Sequence, residues 1–326
     1  MKNYRYFINE ALTSKYPLQI LIKGKDLSGK TEDYTKSGMK EIYENYLLSV
    51  FTDEDGEYTK DIEEWQRNEI DFSLPILNFH NKGTNKILEN KKANIYNKVE
   101  DFGISTDKVQ FAKVFADMQN VAKTIYSLDD IEELKLPIIA KPTDGASAKG
   151  IEKFDTYEDA RESKLEFDLW CECKDLDREF RAFIMNDEII LVTERVTNDS
   201  NDMSVGKKDA NEKIDLIYIK QDMDKFPYMD DIGNIKKELD KKVNLDLYAI
   251  DLMLDKDGDL WIPEINGAPG LGPVEFIAIY RSWVELVYNT KVDKKNEDIL
   301  NRIESEYIEN HKKEYPKEYK SSLNPI

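Results

Sequence analysis

Two apolar runs joined by a short polar segment constrain the fold of this chain more than any other feature. The runs cover residues 247–254 and 260–265, and the segment between them reads DKDGD. Each run has the length and composition of a β-strand, and an Asp-Gly pair is the preferred centre of a two-residue hairpin turn. We therefore predict an antiparallel hairpin whose loop consists of Asp257 and Gly258.

This loop sets the register, because it places Asp251 directly across from Glu264 and Ala249 across from Asn266. Side chains alternate between the two faces of a strand. The prediction therefore assigns one face to Ala249, Asp251, Met253, Ile262, Glu264 and Asn266, and the other to Tyr248, Ile250, Leu252, Trp261 and Ile265.

Two opposed carboxylates on the first face predict a metal site. At about 5 Å apart, the side chains of Asp251 and Glu264 repel each other unless a cation lies between them. Carboxylate and amide oxygens suit a hard ion, so we predict that Asp251, Glu264 and Asn266 bind Mg²⁺, with Mn²⁺ as an alternative ion. The competing interpretation is an acidic hairpin face exposed to solvent.

Composition limits the classes of function. With 326 residues, 40% of them apolar, the chain is long enough for two or three packed domains. A net charge of -19 disfavours nucleic acid as a partner, because it repels phosphate. The sequence has neither a long apolar run nor a signal-peptide pattern at its start, so we expect no membrane partner and a cytoplasmic location.

The histidines and cysteines exclude other chemistry. His80 and His311 are the only histidines, so one chain cannot assemble a histidine triad or a His-rich zinc site. The two cysteines, Cys171 and Cys173, are spaced to lie on one face of a strand. We interpret them as core thiols, with a redox or metal role as the less favoured alternative.

Hydrophobic periodicity predicts a mixture of strands and helices elsewhere. Predicted strands are residues 18–23, 70–79, 136–141, 169–173, 179–185 and 189–196, with a hairpin at Asn186 and Asp187. Predicted helices are residues 108–122, 128–134, 274–287 and a charged segment from Asn296 onward, and residues 39–50 also have helical spacing. The polar residues 197–213 predict a loop.

The segment DLMLDKDGDLWIPEINGAPG, residues 251–270, resembles the metal motif of the ATP-grasp superfamily in order and spacing. The resemblance is to D-alanyl-D-alanine ligases, glutathione synthetases and the ligases that add glutamate to ribosomal proteins, and it covers roughly residues 97–283. It implies that Asp251 and Glu264 bind Mg²⁺ and that Asn266 completes the shell. It also implies an ATP-grasp fold, α/β overall and α+β in the catalytic part, with ATP held between two α+β subdomains.

Other positions match the family in the same order. Lys108 and Lys141 resemble the two lysines that contact ATP phosphates, where each supplies a point charge. Residues 143–150, TDGASAKG, resemble the flexible loop that covers the phosphates, although Ala148 replaces a common glycine. The loop residues that the resemblance implies for ATP binding are Gly145, Ser147 and Gly150.

Four residues on the predicted central strands complete the resemblance. Glu172 resembles the acidic residue at the adenine hinge, and Glu179 the one that accepts hydrogen bonds from ribose. In the glutathione synthetase and ribosomal-protein ligase branches, arginines at the positions of Arg181 and Arg195 contact phosphate or the acyl substrate. The resemblance therefore implies a catalytic role for both arginines.

Two prolines make local predictions. Pro263 lies where relatives carry an ordinary apolar residue, and it cannot donate to a sheet, so its strand should be an edge strand or be unpaired there. Pro273 suits the first position of a helix. The N-terminus of that helix would offer free N–H groups to a substrate carboxylate.

These features predict four parts: an N-terminal α/β domain (1–104), a lid with the phosphate loop (105–168), a metal and ATP subdomain (169–292) and a charged helical tail (293–326). The resemblance implies an ATP-dependent carboxylate-amine ligase that forms an acylphosphate and releases ADP. Its substrates would be small molecules, amino acids or peptides. The alternatives are a kinase with the same fold and a nucleotide-binding module without catalysis.

One motif competes with this interpretation. Residues 24–31, GKDLSGKT, fit the P-loop pattern and follow a predicted strand. A P-loop lysine begins an apolar-faced helix, whereas residues 31–38 are polar and contain Ser37 and Gly38. A basic loop of the first domain is the favoured interpretation.

Overall fold

The computed structural model describes residues 16, 18–23, 46–52, 73–79, 94–98, 102–143, 150–197 and 216–322. Three β-sheets and the helices around them make up this part of the chain. The P-loop-like segment, Gly145, Ser147, His80 and residues 198–213 of the predicted loop lie outside it.

The N-terminal sheet is parallel, with strand order β2-β1-β3-β4. Its strands are β1 (Leu18–Lys23), β2 (Leu47–Thr52), β3 (Ile76–Phe79) and β4 (Ile95–Tyr96). Strand β1 has the predicted bounds. The helical interpretation of residues 39–50 is wrong at its end, where β2 begins at Leu47. Strands of a parallel sheet are often continuous apolar runs, which periodicity does not separate from helices.

The second sheet is antiparallel, with strand order β5-β8-β6-β7. Its strands are β5 (Thr124–Ile125), β6 (Ile138–Lys141), β7 (Glu152–Phe154) and β8 (Leu169–Glu172). The 3₁₀ helix (Leu128–Glu133) and α3 (Tyr157–Glu162) pack against this sheet. The two helices that precede it in the chain, α1 (Gly103–Thr106) and α2 (Lys108–Val114), pack against the third sheet. Cys171 on β8 is a buried free thiol, and Cys173, just past the strand, is a half-buried free thiol.

Helix α2 is shorter than the predicted helix, which extended to residue 122. Asp107 caps its start by accepting hydrogen bonds from the N–H groups of Val109 and Gln110, and Phe115 already leaves helical geometry. The chain then turns towards the outer edge of the third sheet. There Asn120 accepts a hydrogen bond from the Ile262 N–H at 2.8 Å and donates one to the Leu260 carbonyl at 2.7 Å. These contacts replace the helix.

The third sheet is antiparallel, with strand order β11-β10-β9-β12-β13. Its strands are β9 (Leu176–Met185), β10 (Glu188–Thr197), β11 (Leu216–Lys220), β12 (Leu247–Asp255) and β13 (Leu260–Asn266). The predicted hairpin at Asn186 and Asp187 is confirmed, since both have positive φ angles, 50° and 61°, as a two-residue type I′ turn requires.

The remaining helices are α4 (Met229–Leu239), α5 (Pro273–Tyr288), α6 (Lys294–Glu314) and α7 (Pro316–Ser322). Helix α5 packs with the N-terminal sheet against one face of the third sheet, and α2 and α4 share a core with the other face. Across the described ranges, no helix is both long and apolar enough to cross a lipid bilayer.

A cluster of aromatic rings surrounds His311 where α6 meets α7. The ring stacks on Tyr307 at 5.3 Å between centroids, and its Nδ1 lies 3.1 Å from the hydroxyl oxygen of Tyr319. Tyr315 approaches it edge-on, at 4.9 Å. Burial lowers the pKa of His311 from its ordinary value of 6.5, and the opposing effect of Glu314 is smaller.

We predict that acid weakens the docking of the C-terminal helices. Because the pKa of His311 is lowered in the folded protein, the unfolded chain binds a proton more readily. The contribution to stability is therefore complete above pH 6.5 and decreases as the pH falls below that value. Thermal unfolding of the wild type and of His311→Gln, from pH 7.5 to pH 5, should show a smaller pH dependence in the variant. Equal pH dependence in the two proteins would contradict the prediction.

Candidate functional site

The β12–β13 hairpin has the predicted pairing at its polar end. Asp251 lies opposite Glu264, and Ala249 lies opposite Asn266. The turn itself differs from the prediction. Asp255 and Asp259 close it through a hydrogen bond of 3.0 Å from the Asp255 N–H to the Asp259 carbonyl, which leaves a three-residue loop. Gly258 ends the loop with φ of +90°, a conformation that favours glycine.

A β-bulge restores the predicted register beyond the turn. Between the pairs Met253–Trp261 and Asp251–Glu264, β13 has one residue more than β12, so Ile262 and Pro263 together face Leu252. Strand β13 is also the edge of its sheet, as Pro263 predicted. The bulge therefore accommodates a residue that has no N–H to donate.

The bulge also corrects the predicted faces. Trp261 lies opposite Met253 and lines the cleft towards the second sheet. Ile262 belongs to the core that contains Ile250 and Leu252. The sequence prediction assigned these two residues to the opposite faces, because it applied strict alternation across a strand that has an extra residue.

Three side chains contact the two carboxylates that were predicted to bind metal. The Arg181 guanidinium contacts both oxygens of Asp251, with Nε 2.6 Å from Oδ1 and Nη2 3.0 Å from Oδ2. The Asn266 amide nitrogen donates to the same Oδ2 at 3.0 Å. Lys108 Nζ lies 3.7 Å from Glu264 Oε2. These contacts bring Lys108, Arg181, Asp251, Glu264 and Asn266 together.

The strand pairing explains how Arg181 reaches Asp251. The two residues are direct partners on the adjacent strands β9 and β12, and Glu179 pairs with Arg195 across β9 and β10. Glu179 and Arg195 also form an ion pair. Arg181 and Arg195 therefore lie on the same face of the sheet, in adjacent cross-strand rows of side chains. Tyr218 of β11 lies opposite Arg195.

Burial and charge act in opposition on this face. Burial disfavours the charged form of Arg181, but the charge and hydrogen bonds of Asp251, together with Tyr218 and Glu179, outweigh burial and raise the pKa of Arg181. Burial raises the pKa of Glu179, and Arg195 opposes this effect. Burial also raises the pKa of Tyr218, which keeps its phenol neutral. The face therefore holds two arginines and two carboxylates in a partly desolvated environment.

The oxygen donors fit a hard divalent ion by their chemistry. Two carboxylates and one amide are adjacent on paired strands, and such ligands suit Mg²⁺. In this structure the carboxylates are neutralised by Arg181 and Lys108, so their repulsion alone does not require a metal. Within the residues that the structure describes, no group of three or more His, Cys, Asp or Glu side chains has the arrangement of a metal site.

An apolar cleft lies between the hairpin and the second sheet. Its lining combines Lys108, Lys141, Glu172 and Lys174 with apolar side chains that include Ile139, Leu169, Met253 and Trp261. Lys174 lies over the Trp261 ring at 3.7 Å and contacts Glu172 at 3.3 Å. The fold thus brings both predicted phosphate lysines and the predicted hinge acid to one cleft. Gly150, the last residue of the predicted phosphate loop, has φ of +73°.

Sequence reasoning missed two residues near the candidate site, Lys174 and Glu275. Glu275 is buried in the first turn of α5 and accepts a hydrogen bond from the Gly272 N–H at 3.1 Å. It therefore uses one of the N–H groups that were predicted to bind a substrate carboxylate. Burial raises the pKa of Glu275. Glu275 follows the N-cap residue Gly272 by three positions, which is the spacing of the glutamate in a capping box, and this spacing would have identified the contact.

No protein-family model matches the sequence, and no curated protein matches it. Solved structures do match. N5-carboxyaminoimidazole synthetase from Staphylococcus aureus complexed with ADP gives a TM-score of 0.57 at 13% identity, over 86% of this chain and 80% of that chain. VanG D-Ala:D-Ser ligase from Enterococcus faecalis gives 0.56 at 13% identity, over 90% and 100%. D-alanyl-alanine synthetase A from Vibrio cholerae gives 0.55 at 17% identity, over 85% and 99%.

These three proteins have the ATP-grasp fold, and the chain therefore has the ATP-grasp fold, as the motifs implied. The α+β arrangement of the second and third sheets agrees with this class. At identities of 13% and 17%, the likeness establishes the fold and leaves the activity to be inferred from the site.

Proposed function

We propose that this chain is an ATP-dependent carboxylate-amine ligase that forms an acylphosphate and releases ADP. The observation that carries the proposal is the convergence on one cleft of Lys108, Lys141 and Glu172 with the hairpin that bears Asp251 and Glu264. The three structural neighbours named above are each a ligase or synthetase, and one was crystallised with ADP. Their names support this class of reaction.

In this proposal ATP binds in the cleft. The adenine ring lies among Ile139, Leu169 and Met253, near Glu172. Lys108 and Lys141 contact the phosphates, and Glu179 accepts hydrogen bonds from the ribose. Gly145, Ser147 and Gly150 cover the phosphates with backbone N–H groups.

The hairpin and the arginines act on the transferring phosphoryl group. When bound, Mg²⁺ or Mn²⁺ would be held by Asp251, Glu264 and Asn266 and would supply positive charge to phosphate oxygens. Arg181 and Arg195 contact the phosphoryl group or the acyl substrate. Positioning and charge neutralisation then supply most of the rate acceleration, as is general for phosphoryl transfer.

The reaction needs no protein nucleophile. A carboxylate oxygen of the first substrate attacks the γ-phosphorus of ATP, and the bond to the β-phosphate oxygen breaks and releases ADP. An amine then attacks the acyl carbon, loses a proton and displaces inorganic phosphate, which leaves an amide. The substrates are small molecules, amino acids or peptides. We also place the protein in the cytoplasm.

The four-part division of the chain belongs to the same proposal, with one adjustment. Strand β8 begins at Leu169 but pairs with β5 and β6, so the lid extends four residues past the predicted boundary at residue 168. Residues 105–172 then form the lid, whose helix α2 packs on the third sheet, and residues 173–292 form the subdomain that binds metal and ATP.

Hydroxylamine trapping tests the ligase against its alternatives. The protein is incubated with Mg-ATP, hydroxylamine and a panel of amino acids and short peptides, and ADP and hydroxamate are measured together. We expect ADP and hydroxamate in equal amounts with the correct carboxylate, because hydroxylamine captures an acylphosphate. ADP with a phosphorylated alcohol would favour the kinase. Nucleotide binding without turnover on any acceptor would favour a binding module.

A further inference from the structure

We infer that Arg181 is a positioning residue with two successive partners. Before metal binds, its guanidinium pairs with the Asp251 carboxylate, and once metal binds to Asp251 the guanidinium pairs with the anionic substrate. The inference rests on the proposed function and extends it. It concerns the order of events at this site, in which Arg181 acts first as the counter-ion of Asp251 and then as a ligand for substrate.

The contacts of Asp251 support the first step, in which Arg181 is the counter-ion of this carboxylate. Both carboxylate oxygens accept hydrogen bonds from Arg181, at 2.6 Å and 3.0 Å, and Oδ2 accepts a further one from Asn266. Side-chain exposure is only 15% for Arg181 and 7% for Asp251. A metal that binds an oxygen of Asp251 therefore competes with a guanidinium N–H for that oxygen. The Asn266 side chain must also turn its oxygen towards the ion, because its nitrogen now faces Asp251.

The surroundings of Arg181 support the second step, in which the released guanidinium binds an anionic substrate group. A guanidinium released from Asp251 remains beside the Tyr218 ring, which lies 5.7 Å from its central carbon. Two other described carboxylates near Arg181 have partners of their own: Glu179 is paired with Arg195, and Glu275 accepts a hydrogen bond from the Gly272 N–H. The released cation has therefore lost its own counter-ion in a partly buried position, where an unpaired charge is costly. An anionic substrate group that binds there restores the pairing.

These steps make metal and anion binding cooperative. The metal frees Arg181 for the anion, and by thermodynamic linkage an anion bound to Arg181 increases the affinity for metal by the same factor. In the absence of both ligands, the ion pair lowers the affinity of the site for each of them.

The test measures Mn²⁺ binding to the nucleotide-free protein by electron paramagnetic resonance, which requires no turnover. We expect Arg181→Met to increase the affinity for Mn²⁺ by at least about fivefold, within the usual range of coupling between sites. Sulfate serves as the anion probe, with chloride at matched ionic strength. Sulfate should increase the Mn²⁺ affinity of the wild type and leave that of Arg181→Met unchanged.

Arg178→Met is the matched control. Arg178 lies on the same strand and makes an equally buried bidentate pair with Glu194, at 14% and 7% side-chain exposure, on the opposite face of the sheet. Its loss should leave Mn²⁺ affinity unchanged. If Arg181→Met does not fold by circular dichroism, Arg181→Lys decides. A lysine keeps the positive charge but lacks the planar two-nitrogen contact of the guanidinium, so it should give a smaller increase in affinity.

Two results would overturn the inference. One is an Mn²⁺ affinity in the folded Arg181 variant that is equal to or below that of the wild type, which would make Arg181 a structural support for Asp251. The other is a sulfate effect that persists without Arg181. A different result would contradict the proposed function: a wild-type protein that binds no Mn²⁺ even in the presence of a non-hydrolysable ATP analogue.

Discussion

Glu264→Gln and Asp251→Asn should each lower the rate of substrate-dependent ADP release by at least about 100-fold, since each removes one negative oxygen donor from the proposed metal site. The two variants should differ in stability. Asp251 is the buried partner of Arg181, and its neutralisation leaves a guanidinium without a counter-ion. Glu264 is 32% exposed and lies 3.7 Å from its lysine. Glu264→Gln is therefore the cleaner test of catalysis.

The measurement is steady-state ADP release with the carboxylate that the hydroxylamine screen identifies, together with thermal unfolding of each variant. Asp257→Asn is the control, because Asp257 lies on the same hairpin but in its exposed turn. It should retain the wild-type rate. If folded Glu264→Gln and Asp251→Asn both retain the wild-type rate, the metal assignment is wrong, and with it the proposed catalytic site.

The hairpin shows how far sequence patterns can predict this site. The pairing of Asp251 with Glu264 is confirmed, although the turn that predicted it is wrong. The loop is one residue longer than a two-residue turn, and the bulge at Ile262 and Pro263 adds one residue to β13. These two irregularities compensate each other beyond the bulge. Between the loop and the bulge, the register differs by one residue from the predicted register, which is why the prediction misplaced Trp261.

Pro263 contained more information than the prediction used. Its missing N–H predicted an edge strand, which is confirmed. The same property also fits a bulge, and a bulge would have predicted the exchange of Trp261 and Ile262 between the faces. Local chemistry at a single residue was therefore a better guide to this strand than strict alternation.

Contacts between distant segments could not be predicted. The ion pair of Arg181 with Asp251 depends on β9 lying beside β12, and 70 residues separate the two side chains along the chain. The alternation of each strand showed which face its residues occupy, but not which strands are neighbours. Sequence reasoning therefore assigned the repulsion between carboxylates to a metal, whereas protein cations neutralise it in the structure.

Gly267→Ala should be the most damaging small substitution near the site. A Cβ at this position would lie 2.6 Å from Ser105 Oγ and 2.7 Å from Phe102 Cδ1. Phe102 is fully buried in the core, so it cannot move aside without disturbing its neighbours. Overpacking of this kind costs about 1–3 kcal/mol of stability. We expect a lower midpoint of thermal unfolding.

The same substitution should impair activity, because Gly267 adjoins Asn266 and contacts the residues just before α2. Displacement of α1 would move Lys108, at the start of α2, relative to Glu264. Gly270→Ala is the matched control, since a Cβ there meets no atom within 4 Å. We expect Gly270→Ala to retain the thermal midpoint of the wild type. Equal midpoints for Gly267→Ala and Gly270→Ala would mean that the chain relieves the clash easily, and that contact with α1 does not fix the position of Lys108.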